Sequence, residues 1–197
     1  MKSFYLSLGL LFIFVVFQSF ISMSTFKTEK QKFRLVSKEK EFEIRYYPSA
    51  TFATIYSDAT NYKGVASKGF RKLAGYIFGG NEKKESISMT APVRMSMSDK
   101  GSSMSFIMPE KYDKQNLPIP NDNSITIQNS QPEYVAVISF GGYASDEKIA
   151  IYKDKLMAAL AKQKIQVKGP FNFLGYNAPF QFIGRTNEII IPIAWKE

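Results

Sequence analysis

The segment Tyr47-Pro48-Ser49-Ala50-Thr51-Phe52-Ala53-Thr54-Ile55 is echoed by Gln131-Pro132-Glu133-Tyr134-Val135-Ala136-Val137-Ile138, and that echo organises the chain. Each stretch passes a proline, runs on through apolar and β-branched residues as a strand does, and leads into a helical pattern. The spacing of roughly 84 to 87 residues points to an internal duplication. Later in each half comes an Ala-Pro pair, in Thr90-Ala91-Pro92-Val93 and again in Asn177-Ala178-Pro179-Phe180.

The first helical pattern runs from about Asn61 to Phe78, with Tyr62, Val65, Ala66, Phe70, Leu73 and Ile77 recurring at helical spacing until Gly79-Gly80-Asn81 stops it. The second opens on Ser145-Asp146-Glu147, a capping residue with acids in the first turn, and continues to about Gln163 with Ile149, Tyr152, Leu156 and Leu160 on one face. Alternation at period two marks strands at Val93, Met95 and Met97; Met104, Phe106 and Met108; Ile125 and Ile127; Phe180 and Phe182; and Ile189, Ile191 and Ile193. The expected fold class is α+β. About eight antiparallel strands form a curved, barrel-like sheet, with two amphipathic helices packed outside it.

Composition removes whole classes of chemistry. Among 197 residues there is no histidine and no cysteine. Imidazole triads, histidine-ligated haem, thiolate nucleophiles, disulfides and iron–sulfur clusters are therefore excluded. The formal charge is +9. Basic residues are nevertheless interleaved with acids, as in Lys38-Glu39-Lys40-Glu41, which reads as a solvated surface and not as a nucleic-acid interface. The glycine pairs Gly79-Gly80 and Gly141-Gly142 lack the spacing of a phosphate loop and read as a helix stop and a strand bend.

Phe4 to Ile21 is an almost unbroken apolar run, at the lower limit for crossing a bilayer and the upper limit for a signal peptide core. Residues 1–24 are read as a hydrophobic N-terminal helix that anchors the protein in a membrane, with export to the periplasm or extracellular space as the alternative. Residues 25–39, holding Lys27, Lys30, Lys32 and Arg34, are read as a basic linker able to touch lipid headgroups. The globular domain then spans 40–197.

Within that domain Phe52-Ala53-Thr54, Phe78-Gly79-Gly80-Asn81 and Ser88-Met89-Thr90-Ala91-Pro92-Val93 resemble signatures of the SOUL haem-binding protein family. Phe140-Gly141-Gly142-Tyr143-Ala144, Gly175-Tyr176-Asn177-Ala178-Pro179 and Gly184-Arg185-Thr186-Asn187-Glu188 follow in the family's order. The resemblance covers roughly residues 40 to 194, nearly the whole domain. It implies a duplicated, distorted antiparallel β-barrel flanked by two helices, and reversible, non-catalytic binding of haem or free porphyrin in a shallow apolar groove. It also implies a fold shared with bacterial small-molecule-binding regulatory domains. Some family members ligate iron through histidine, which this chain lacks.

A porphyrin is a flat apolar disc with two carboxylates, so its groove needs an apolar wall and cations at the mouth. On the first helix Val65, Phe70, Leu73 and Ile77 are the expected wall, and Lys68, Arg71 and Lys72 the expected propionate partners. Tyr176 completes the expected ligand-binding set. Tyr76, Tyr143, Tyr176, Met89 and Met95 are the side chains near family motifs able to ligate iron. The alternatives are a tethered sensor or binding module for other amphipathic molecules, or a hydrolase pairing Glu188 or Glu133 with Tyr143 or Tyr176.

Overall fold

The computed structural model describes residues 5, 9–10, 12–19, 28–98 and 101–196. In chain order the elements are helical residues 12–19 (α1), β1 (Glu29–Lys30), β2 (Arg34–Lys38), β3 (Glu43–Tyr47), β4 (Thr51–Ser57), α2 (Tyr62–Ile77), β5 (Thr90–Ala91) and β6 (Val93–Ser98). Then follow β7 (Gly101–Ile107), β8 (Ile125–Asn129), β9 (Glu133–Gly141), α3 (Asp146–Lys162), β10 (Asn172–Gly175) and β11 (Thr186–Pro192). Nine strands form one antiparallel sheet in the order β2-β3-β9-β11-β10-β6-β7-β4-β8, curled into a half-barrel with β2 and β8 at its edges.

This order makes the duplication explicit. One half is β3-β4-α2-β6-β7 and the other β8-β9-α3-β10-β11, and they meet where β6 pairs with β10. The leading strand of each half is exchanged: β3 pairs with β9 and β8 with β4. The two Ala-Pro pairs do not occupy matching places, because Ala91-Pro92 joins β5 to β6 whereas Ala178-Pro179 lies in the β10–β11 loop.

Both helices pack on one face of the sheet, α2 over β4 and β7, and α3 over β9 and β11. The alternation seen in the sequence sorts the side chains. Ala53, Ile55, Met95, Met104, Phe106, Phe173, Ile189 and Ile191 meet the helices in the main core. Tyr47, Val135, Val137, Leu174 and Ile190 form a smaller cluster on the opposite face. Asn61 Oδ1 caps α2 by accepting from Gly64 N at 2.8 Å, and Ser145 Oγ caps α3 by accepting from Lys148 N at 3.2 Å. Asp146, in the first turn of α3, also accepts the backbone N–H of Tyr62, so the two helices start from a shared point. Gly80 ends the α2 segment by necessity, because a Cβ there would lie 2.6 Å from the carbonyl oxygen of Gly75.

Two segments differ from the sequence reading. Residues 29–30 and 34–38, within the expected linker, form β1, which pairs with β5, and β2, which pairs with β3. Phe180 and Phe182 belong to no strand. They stand in the loop between β10 and β11, 55% and 56% exposed, because period-two alternation cannot tell a half-buried strand from a loop that turns its apolar side chains outward. Among the described residues no helix is long and apolar enough to cross a membrane.

Candidate ligand-binding site

The residues expected to line a groove do not converge. Val65, Leu73 and Ile77 are buried in the main core, turned from α2 onto the sheet. Phe70 is at the surface, its ring edge-on to Phe106 at 5.3 Å. Lys68 and Arg71 lie on the solvent side of α2, whereas Lys72 Nζ is held by Ser124 Oγ at 3.0 Å and Asp122 at 3.5 Å. Tyr176 packs against the cluster on the opposite face of the sheet.

Tyr176 belongs instead to a buried polar network. Its hydroxyl donates to Glu188 Oε2 at 2.7 Å, and the same carboxylate accepts from Arg45 Nη1 at 3.0 Å and from Ser139 Oγ at 3.2 Å. Glu43 meets the other side of the guanidinium at 2.7 Å, and the Phe33 ring covers it at 4.1 Å. Burial, with Glu188 beside it, pushes the Tyr176 phenol far above its usual range. Desolvation works against the charge on Arg45, but the Glu188 charge and the hydrogen bonds that Arg45 donates to Tyr47 and Glu43 outweigh it and raise Arg45 as well. Glu133 is likewise paired with an arginine, Arg94, at 2.7 Å. Of the four carboxylate–tyrosine pairs weighed for hydrolysis, Glu188 and Tyr176 are in hydrogen-bond contact, and Arg45 already neutralises that carboxylate.

The other tyrosines and methionines near the motifs are mostly enclosed. Tyr76 is 1% exposed and donates to Pro118 O at 2.9 Å. Met95 is buried and Met89 packs against the core. Tyr143 alone of the five stands 48% exposed.

Tyr143 marks where apolar surface remains open. It contacts Phe182 edge-on at 6.1 Å, and with Phe180 and Ile183 forms an apolar ledge on the β10–β11 loop. The motif residues build this ledge. Arg185 stacks its guanidinium 4.2 Å from the Tyr143 ring, and its Nη1 donates to the carbonyls of Ala178 and Gln181, both at 2.7 Å. Asn177 Oδ1 accepts from Thr186 N at 2.7 Å, and Asn187 Nδ2 donates to Gly142 O at 2.8 Å, tying the loop to the turn before α3. Arg185 Nε is buried without a hydrogen-bond partner among the described residues. Burial raises the Tyr62 phenol at the start of α2, and the charge of Arg185 opposes that shift. Helix α1 rests on one side of the ledge, with Phe14 and Phe182 ring centroids 6.1 Å apart. The sequence signal for this site was an aromatic pair enclosed by Pro179 and Gly184-Arg185, punctuation that belongs to a loop.

Three comparisons place the chain among known proteins. Its sequence is 31% identical to Heme-binding protein 2 of Mus musculus over 157 residues, covering 75% of this chain and 76% of that protein. It is 27% identical to Heme-binding protein 1 of Xenopus laevis over 172 residues, covering 82% and 90% respectively. The fold is shared with the EcmrR C-terminal domain, with a TM-score of 0.60 at 9% identity over 83% of this chain and 99% of the other. It is also shared with a hydrolase from Listeria innocua, with a TM-score of 0.55 at 6% identity over 88% and 97%. Such low identities speak for architecture alone. The family model described as SOUL heme-binding protein matches residues 28–192, which takes in both edge strands and both halves of the sheet, and the chain therefore belongs to the SOUL haem-binding protein family.

Proposed function

We propose that the protein binds haem or free porphyrin reversibly on the ledge formed by Tyr143, Phe180, Phe182 and Ile183, without catalysis and without histidine ligation. What carries this reading is large apolar side chains held open around an arginine, in a chain of a family named for haem binding. A porphyrin face suits the aromatic ledge. A propionate suits the guanidinium of Arg185 beside the ledge. Lys68 and Arg71, on the solvent side of α2, are further candidates for the carboxylates, and Tyr143 is the exposed candidate for the iron. Burying a few hundred Å² at roughly 25 cal/mol per Å² gives on the order of 10 kcal/mol before association costs, enough for micromolar binding without a metal ligand. The apolar run Phe4 to Ile21 tethers the domain to a membrane in the same reading.

Titration of the protein with haem and with iron-free protoporphyrin, followed in the Soret band, tests it. The two should bind within a few-fold of each other, and Arg185→Met should weaken both. A strong preference for the iron form would shift the reading to a tyrosine-ligated haem. Failure of both to bind, or equal binding of a lipophilic cation, would sink it.

A further inference from the structure

Helix α1 and the β10–β11 loop share a property that a water-facing surface has no use for. Phe12, Ile13, Phe14, Val15, Val16 and Phe17 are 45–69% exposed, and Phe180, Phe182 and Ile183 continue that surface at 55–62%. Contiguous apolar patches of this kind mark sites of interaction. The polar groups beneath it are already matched. Residues 12–19 contain two polar side chains. Gln18, 2% exposed, donates through Nε2 to Phe180 O at 3.3 Å and accepts from Phe182 N at 3.0 Å. Ser19 Oγ donates back to Val15 O at 2.9 Å.

Five of the loop's carbonyls are satisfied in the same way. The carbonyls of Ala178, Pro179, Phe180, Gln181 and Ile183 accept from Arg185, Tyr143, Gln18, Arg185 and Gln181 in turn. An irregular segment can enter hydrocarbon only when its backbone is hydrogen-bonded within the protein. This loop meets that condition at five consecutive or near-consecutive carbonyls, with its apolar side chains turned outward.

We propose that α1 and the outer side of the β10–β11 loop form a single lipid-binding surface, seating the domain on the membrane with Phe180, Phe182 and Ile183 in the acyl-chain boundary. The inference rests on the tethering reading and adds a second contact that fixes the orientation of the domain. Phe180, Phe182 and Ile183 then meet lipid or porphyrin in turn, so the two compete for the same side chains. The basic residues that follow the apolar run match anionic headgroups, apart from Lys32, which is paired with Glu110 at 2.6 Å.

The test uses the full chain carrying Phe182→Trp, mixed with vesicles of phosphatidylcholine containing a quarter phosphatidylglycerol, with acyl chains either plain or brominated. Signal from Trp195 is subtracted with the parent protein. The introduced indole should shift to the blue on vesicle addition and lose most of its emission to the brominated chains. Ile183→Trp supplies a second reporter should the first disturb the seat of α1.

Protein bound to vesicles with an unquenched indole would overturn the loop contact while leaving the tether standing. Protein that stays off the vesicles would overturn both. A blue shift that rises with protein concentration in the absence of lipid would assign the surface to a second copy of the chain. Haem titration of the parent protein is read separately: quenching of the variants' indole without haem binding by the parent removes the porphyrin reading and keeps this one.

Discussion

Replacing Glu188 by leucine isolates what the buried network contributes. Glu188 and Arg45 are 5% and 6% exposed, and the substitution removes the carboxylate that accepts from Arg45, Tyr176 and Ser139. Breaking a buried pair on one side costs about 3 to 5 kcal/mol, because the remaining charge stays desolvated and unpaired. Here Glu43 still meets the guanidinium at 2.7 Å and Phe33 still covers it, which places the expected loss near the lower end, about 3 kcal/mol. At about 2 to 4 °C per kcal/mol for a domain of this size, Tm should fall by about 6 to 12 °C.

Denaturant unfolding of four proteins, the parent, Arg45→Met, Glu188→Leu and the double variant, closes a cycle. The double variant should regain much of the loss, since an apolar pair of similar volume removes both desolvation costs. Porphyrin affinity should stay within a few-fold of the parent throughout, because none of the network's members, Arg45, Glu188, Tyr176 and Ser139, belongs to the ledge. A loss below about 1 kcal/mol in Glu188→Leu, or additive single losses, would show that the pair is not coupled and would refute the reasoning.

Two further outcomes follow from burial. Leu73→Ala should destabilise the domain by about 3 kcal/mol in denaturant unfolding through the cavity left under α2, and leave porphyrin binding unchanged, because Leu73 is 0% exposed and faces the sheet. Tyr76, pushed up to about 12 by burial, gives an alkaline prediction. The folded state keeps a proton that the unfolded state releases near pH 10, so its stabilisation is complete below that pH and is lost between about 10 and 12 at about 1.4 kcal/mol per pH unit. Tyr76→Phe should flatten that share of the decline, measured as unfolding free energy against pH, while losing about 1 kcal/mol at neutral pH with the Pro118 hydrogen bond.

The elements carried by local pattern were legible in the sequence. The expected helix from Asn61 to Phe78 became Tyr62–Ile77 with Asn61 as its cap, and the expected start at Ser145 is the cap of α3. Strands whose alternation ends in the core, such as Met104 with Phe106 and Ile189 with Ile191, were read correctly for the same reason. The site was less legible. Periodicity identified Val65, Leu73 and Ile77 as an inner face, but an inner face against a sheet and a groove wall produce the same pattern. The partnership of Tyr176 with Glu188 and Arg45 depends on β3, β9, β11 and β10 lying side by side. No local rule reports that order. Arg185 was visible as part of a motif, but its stacking on Tyr143 arises only when the loop folds back toward α3.

The exchange of leading strands means that neither repeat is an autonomous folding unit. Severing the chain between Ile107 and Ile125 would leave two fragments, one lacking the β8 that pairs with its β4 and the other lacking the β3 that pairs with its β9. Such pieces are built for complementation: apart they offer unpaired backbone to solvent, and together they restore one ladder.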